Sequence, residues 1–380
     1  MTSALSDQRT SEIDTLRGFA LMGIAVVNVP LFSEVVTGRP VVASGLDALA
    51  AFIGATFFTA KFFVLFAFLF GWGMHRMREN AVEKGLDAPR MWRRRMWALM
   101  LIGLAHGILV FPFDILMTYG VLGMWLWKAS DWPRAKLVKH ALVALSIAPF
   151  SYALLGWLNG TIIDSVDSLE REKVGFLTYG AAVLDNLWTL PFGQMLNVLY
   201  NGPTSYAAIC LGVLASRDGL FAHGARAFST LEGRAPLLWV LGISLNLPLG
   251  FVSVFENAGP VAEAFAFAAT GLGAPFLSAA YLISVAKLAR TGRQFFAAAG
   301  RMSLTAYVVE GILAGWIFFE YGLGLNMELG AGVTLAVALG VFLATKLFCM
   351  LWLQFWRQGP LERLWRKLAY ASEPSRTPGP

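Results

Sequence analysis

The chain has 380 residues, 57% of them hydrophobic and 14% charged, with a mean hydropathy of +0.61 and a formal net charge of +6. Soluble domains carry roughly 25% charged residues, so this composition excludes a soluble enzyme and points to an all-α polytopic membrane protein. Cys210 and Cys349 both lie in apolar segments, which excludes a disulfide framework and a Cys-based metal site.

A membrane-spanning helix needs about 20 mostly apolar residues. In chain order the predicted spans are 17–36, 51–74, 96–113, 115–128, 140–160, 193–216, 236–255, 264–289, 303–319 and 330–353. The first contains Arg17 and lacks a small-residue cleavage site, so it reads as a retained span rather than a signal peptide. The fourth is short and follows "FPFD" (111–114), where Pro112 and Asp114 predict a tight helical hairpin. The stretch "TYGAAVLDNLWTLPF" (178–192) is apolar enough to enter the membrane. Its Asp185, Asn186 and Pro191 favour a re-entrant or interfacial piece. In the tail segment 360–370, Leu361, Leu364, Trp365 and Leu368 share one face, with Arg363, Arg366 and Lys367 on the other. That pattern predicts an amphipathic helix on anionic lipid. Residues 371–380 are expected to be a disordered tail. Neither an internal repeat nor a Gly-rich phosphate loop is visible.

Ten spans with a cytoplasmic N-terminus put 26 of the 30 Lys and Arg residues on the cytoplasmic side, including "RRR" at 93–95. The other four are Arg39, Lys61, Arg171 and Lys173. This asymmetry predicts that both termini are cytoplasmic. Counting 178–192 as an eleventh span would spoil it. The bilayer is the expected partner, and no nucleic-acid partner is expected. A homo-oligomer stays open.

Ionisable groups inside a bilayer are costly and usually face protein or a water-filled cavity. Lys61 falls near the middle of the second span, Asn28 of the first, His106 of the third, Asn246 of the seventh and Glu310 of the ninth. Asp114 lies at the outer end of the third. Lys61 either pairs with Glu310 as a buried ion pair or binds an anionic ligand. His106 could serve chemistry or hydrogen-bond a backbone carbonyl. Asp114 could be a site residue or a helix cap, and Asn28 a ligand or an inter-helix hydrogen bond. Asp14 and Arg17 could form an interfacial salt bridge and no more. The basic run 90–95 reads as a topology determinant or as a phosphate-binding rim. His75, His106, His140 and His223 show no metal-ligand spacing, so no metal is expected.

Several stretches resemble the YeiB family of bacterial inner-membrane proteins: "IDTLRGFALMGIAVVNVPLF" (13–32), "AKFFVLFAFLFGWGM" (60–74), "RRRMWALMLIGLAHGILVFPFDILMTYGVLG" (93–123), "AAGRMSLTAYVVEGILAGWIFFEYGLGL" (298–325) and "RQGPLERLWRKLAY" (357–370). The region 130–295 matches loosely. Glu310 stands where the family usually has Gln, and Ala306 where it usually has Asn. The family is similar in turn to a broader group of transmembrane acyltransferases that includes the lysosomal heparan-glucosaminide acetyltransferase. The shared pattern is Asp14, Arg17, Gly18 and Asn28 in the first span. The resemblance implies a bundle of about ten helices passing an acyl group from cytoplasmic acyl-CoA to a small-molecule, glycan or peptide acceptor. The heparan enzyme's catalytic His follows its first span. No His occurs between 28 and 74 here, so that role does not transfer.

On this reading His106 is the general base. Asp114 orients it or acts as a second base. Eight residues of unbroken helix would hold the two roughly 12 Å apart, so contact requires a break at Pro112. Lys61 or Asn28 would polarise the thioester. Arg17 and the 93–95 arginines would draw in the donor, and Arg301, Tyr307 and Glu310 are further binding candidates. The competing readings are a transporter of a small amphiphile or anion and a non-catalytic membrane scaffold.

Overall fold

The computed structural model describes residues 2–37, 45–166, 178–222, 224–255, 258–325 and 329–370. Arg39, Arg171, Lys173, His223 and the expected disordered tail 371–380 lie outside them. The described secondary structure is helical, as lipid demands of a chain that must satisfy its own backbone. The helices are α1 (Thr2–Thr37), α2 (Gly45–Ile53), α3 (Lys61–Glu83), α4 (Ala88–Leu109), α5 (Leu116–Leu126), α6 (Arg134–Val166), α7 (Tyr179–Arg217), α8 (Arg226–Gly233), α9 (Ala235–Val252), α10 (Pro260–Arg290), α11 (Ala297–Arg301), α12 (Ser303–Phe318), α13 (Ala331–Phe355) and α14 (Pro360–Tyr370). A π-helical turn, Gly54–Phe58, joins α2 to α3, and a 3-10 turn, Trp127–Asp131, follows α5.

Helix overlaps all ten expected spans, the second of them (51–74) being broken between α2 and α3 by the π-helical turn and Ala60, and seven stretches are long and apolar enough to cross a bilayer. The others fall short for separate reasons. Arg90, Arg93, Arg94 and Arg95 charge the first half of α4. The 11 residues of α5 reach only about 16 Å. The 16-residue α12 is apolar but short. The stretch 178–192 is not a separate re-entrant piece. It is the first part of α7, whose 39 residues continue through Pro191 and Pro203. Thr178 starts this helix, its Oγ1 accepting from Ala181 N at 3.2 Å.

Close backbone approach sets the packing. Where α3 crosses α7, a Cβ on Gly71 would lie 2.2 Å from Ile209 O, and one on Gly212 would lie 2.1 Å from Phe68 O. Only glycine fits at either position. α10 packs along both α6 and α9, and α1 touches α10, α11, α12 and α13.

The basic residues gather at one end of the bundle. Arg290 donates to both oxygens of Glu12, at 3.1 and 3.2 Å, and so ties α10 to α1. Arg78 pairs with Asp131, and Arg134 with Asp218 at 2.8 Å. Arg217 donates to the carbonyls of Ala129, Ser130 and Trp132. α14 docks here too: Trp365 Nε1 donates to Arg95 O at 2.7 Å, and the Arg95 guanidinium lies over the Trp365 ring. At the other end, Tyr179 OH donates to Leu109 O and Gly332 N donates to Asp47 Oδ1. These are called the basic end and the far end below.

Candidate functional site

The site is built by a helix that stops early. α4 ends at Leu109, and the amides of Val110 and Phe111 both donate to His106 O, at 2.8 and 3.0 Å. Pro112 cannot continue the helix. The chain turns back, and α5 runs antiparallel beside α4. This reversal closes the gap that an unbroken helix would leave. His106 Nδ1 lies 2.9 Å from Asp114 Oδ2, with both side chains buried.

Asp114 also caps α5, its Oδ1 accepting from Met117 N at 3.0 Å. The cap and the site residue are one group. Gly103 makes the room, since a Cβ there would sit 2.7 Å from Asp114 Oδ1. The Asp114 carbonyl accepts from Gln194 Nε2 at 2.8 Å and Asn197 Nδ2 at 3.2 Å, so α7 pins the turn.

An ionised carboxylate only accepts, so the imidazole donates from Nδ1 and keeps its lone pair on Nε2. Nε2 is buried and makes no hydrogen bond. It faces a narrow cavity lined by Asn28, Phe32, His106, Phe111, Tyr307 and Glu310 among others. The free space holds about one water molecule. Both carboxylate oxygens of Glu310 are buried without a hydrogen-bond partner. Tyr307 stacks obliquely on His106, with ring centroids 5.0 Å apart. Phe32 and Phe111 close one wall, stacked at 4.2 Å. At Gly311, a Cβ would fall 2.7 Å from Nε2, so this glycine lets the ring lie against α12.

The sequence candidates thus divide. His106, Asp114, Asn28, Tyr307 and Glu310 come together. Lys61 stays apart, and the expected Lys61–Glu310 ion pair is not formed. Lys61 is fully buried at the first position of α3, and its Nζ donates to Ala55 O at 2.9 Å. The π-helical turn and the positive φ of 73° at Ala60 break the helix just before it, so the ammonium folds back on a carbonyl of the break. Arg17 and Arg301 also lie outside the cavity. Arg17 pairs loosely with Asp14 at 3.8 Å, and Arg301 ends α11, which packs on α1. Asn246 donates to Gly242 O within its own helix.

Sequence reasoning missed Gln194, Asn197 and Gly311. For the first two a signal existed: Gln194, Asn197, Asn201 and Ser205 recur at helical spacing on one face of α7. Among the described residues no group of three or more His, Cys, Asp or Glu side chains could hold a metal.

Fold and span pattern define an all-α polytopic membrane protein. Residues 215–372 match the family described as "Protein of unknown function (DUF418)". The chain is 29% identical to "Uncharacterized protein YxaH" of Bacillus subtilis (strain 168), over 97% of the chain and 96% of the relative. It is 28% identical to "Uncharacterized protein YeiB" of Escherichia coli (strain K12), over 95% of the chain and 96% of the relative. A 39.9 kDa protein from the amylase 3' region of Bacillus acidopullulyticus is 24% identical over 96% of the chain and 94% of its own length. The C-terminal part of the chain thus matches the DUF418 model, and the chain is similar over nearly its whole length to YxaH and YeiB.

Proposed function

We propose that the protein is a transmembrane acyltransferase of the bacterial inner membrane, with acyl-CoA as donor and His106 as general base. The observation that carries this reading is the buried His106–Asp114 pair, whose free Nε2 faces a cavity. A carboxylate that fixes the tautomer and orientation of an imidazole is the arrangement by which enzymes remove a proton from a nucleophile. The basic end is cytoplasmic on the positive-inside rule. Arg17, Arg93, Arg94, Arg95 and Arg301 would meet the phosphates of the donor there. From Arg95 to His106 is roughly 16 Å of helix, a gap suited to the extended pantetheine arm of CoA. The narrow cavity must widen to admit an acyl group.

A second reading is proton-coupled transport. Its support is the same cavity: Glu310, His106 and room for about one water suit a proton relay. One experiment separates the two. Purified protein in liposomes is given acetyl-CoA and a longer acyl-CoA with mixed amine and hydroxyl acceptors, and free thiol is followed. The acyltransferase releases thiol dependent on acceptor, and His106→Ala lowers the rate by about 10²–10⁴. No thiol release with any donor, or full activity in His106→Ala, sinks the reading. Solute counterflow in the same vesicles would then favour transport.

A further inference from the structure

We propose that the Glu310 cavity binds a primary ammonium group, which makes the acceptor an amine rather than an alcohol. Three buried polar atoms that make no hydrogen bond line the cavity: both Glu310 oxygens and His106 Nε2. With Nδ1 committed to Asp114, Nε2 is an acceptor, and so are both oxygens of Glu310 when its carboxylate is ionised, the state an ammonium ligand would favour. Among the described residues no Lys, Arg or His nitrogen comes within ion-pair distance of Glu310. Lys61, the buried cation that could have served, is spent on Ala55 O. A buried carboxylate without a counter-ion is costly, so the ligand that suits this cavity brings positive charge and hydrogen-bond donors. The free space fits one compact head of about the size of water. An –NH3+ group has that size, one charge and three N–H bonds. An alcohol offers one donor and no charge. A quaternary ammonium offers no donor and exceeds the space. Phe32, Phe111 and Val29 would enclose the adjoining carbon.

The chemistry of this inference rests on the acyltransferase reading. The bound R–NH3+ gives one proton to Nε2, and Glu310 and Asp114 flank the imidazolium that results. The amine nitrogen attacks the thioester carbonyl, the C–N bond forms and the C–S bond breaks. The second amine proton goes to the departing thiolate, and the imidazolium later loses its proton to water. One ammonium and one thioester give one amide, one thiol and one proton.

The binding part is tested without turnover. Protein in nanodiscs is titrated with methylammonium, ethanolammonium, choline and sodium as chloride salts, and the melting temperature is followed. Methylammonium and ethanolammonium should raise it saturably, while choline and sodium should not. Glu310→Gln should weaken the amine effect at least 10-fold. This variant removes a buried charge at constant shape, so it should fold as well as the wild type or better. An equal response to sodium, no response to any amine, or an unchanged response in Glu310→Gln overturns the proposal. The two readings fail separately. Saturable amine binding without thiol release keeps the ammonium site and removes the acyltransferase. Acylation of alcohols by a protein that ignores amines does the reverse.

Discussion

The two oxygens of Asp114 have different partners, so substitutions there separate stability from chemistry. Asn keeps the cap on Met117 N but cannot hold the imidazole as a carboxylate does. Asp114→Asn should melt within about 1 kcal/mol of wild type, because Asn and Asp cap helices equally well. Thiol release should nonetheless fall by about 10²–10⁴, as expected when an imidazole loses its orienting carboxylate. A retained rate at an unchanged melting temperature would make Asp114 a cap and nothing else. At this scale the sequence was half legible. His106, Asp114 and Pro112 were each visible, and so was the condition that only a break could join them. The solitude of Glu310 was not, because depth along separate helices says nothing about which faces meet. The pairing with Lys61 failed for that reason.

Two elements are held by a few polar side chains. The break before α3 leaves carbonyls that a regular helix would use. Lys61 meets Ala55 O, and Tyr281 OH meets Phe57 O at 2.8 Å. Lys61→Met leaves one carbonyl unpaired, at a cost of about 1–3 kcal/mol. It also removes a buried charge, whose burial costs several kcal/mol. The second effect is larger, so the variant should melt at or above the wild-type temperature. A clear fall in melting temperature would show that the ammonium has a stabilising partner of its own. The other element is α14. Glu362 accepts from the amides of Leu304 and Thr305, at 2.7 and 3.0 Å, and from Thr305 Oγ1 at 2.6 Å. It thereby caps α12, which carries Tyr307 and Glu310. Glu362→Ala should cost about 1.5–3 kcal/mol and speed proteolysis between Trp356 and Gly359. An unchanged digest would mean that other contacts, Trp365 with Arg95 among them, suffice to hold α14. The sequence showed the amphipathic face of α14 but not its docking, since Glu362 reads there as one more surface charge.

Across the whole molecule the gathered arginines set an orientation that can be measured. Cys210 and Cys349 are buried, so single cysteines placed elsewhere can be labelled above a low background. A cysteine at Arg94 should react with a membrane-impermeant maleimide only in inside-out vesicles. One at Leu323, beyond α12 at the far end, should react only in intact cells. The opposite pattern would invert the proposed direction of acyl flow. The helical class was legible because apolar runs of this length have one solution in lipid, whereas seven of the stretches reach the length and apolarity of a full span. The 178–192 stretch was read as a separate re-entrant or interfacial piece because prolines and polar residues usually end a helix. Here they sit inside one whose neighbours supply the missing partners, as when Asn186 Nδ2 donates to Ile108 O at 3.2 Å.

That helix has a consequence for the membrane itself. At 39 residues α7 is about 58 Å long, nearly twice the roughly 30 Å of hydrocarbon it crosses. Its first turns must lie in or beyond the headgroups, and there Tyr179 and Asn186 reach across the end of α4. The same rod is therefore anchored in the bilayer at one end and fastened over the Asp114 turn at the other. Hydrophobic mismatch becomes a variable of the site. Lipids with longer tails would draw more of α7 inward and shift Gln194 and Asn197 against the carbonyl they hold. Turnover should fall as acyl tails lengthen in reconstituted vesicles, at constant headgroup and constant melting temperature. A rate indifferent to thickness would mean that the prolines in α7 uncouple its two halves.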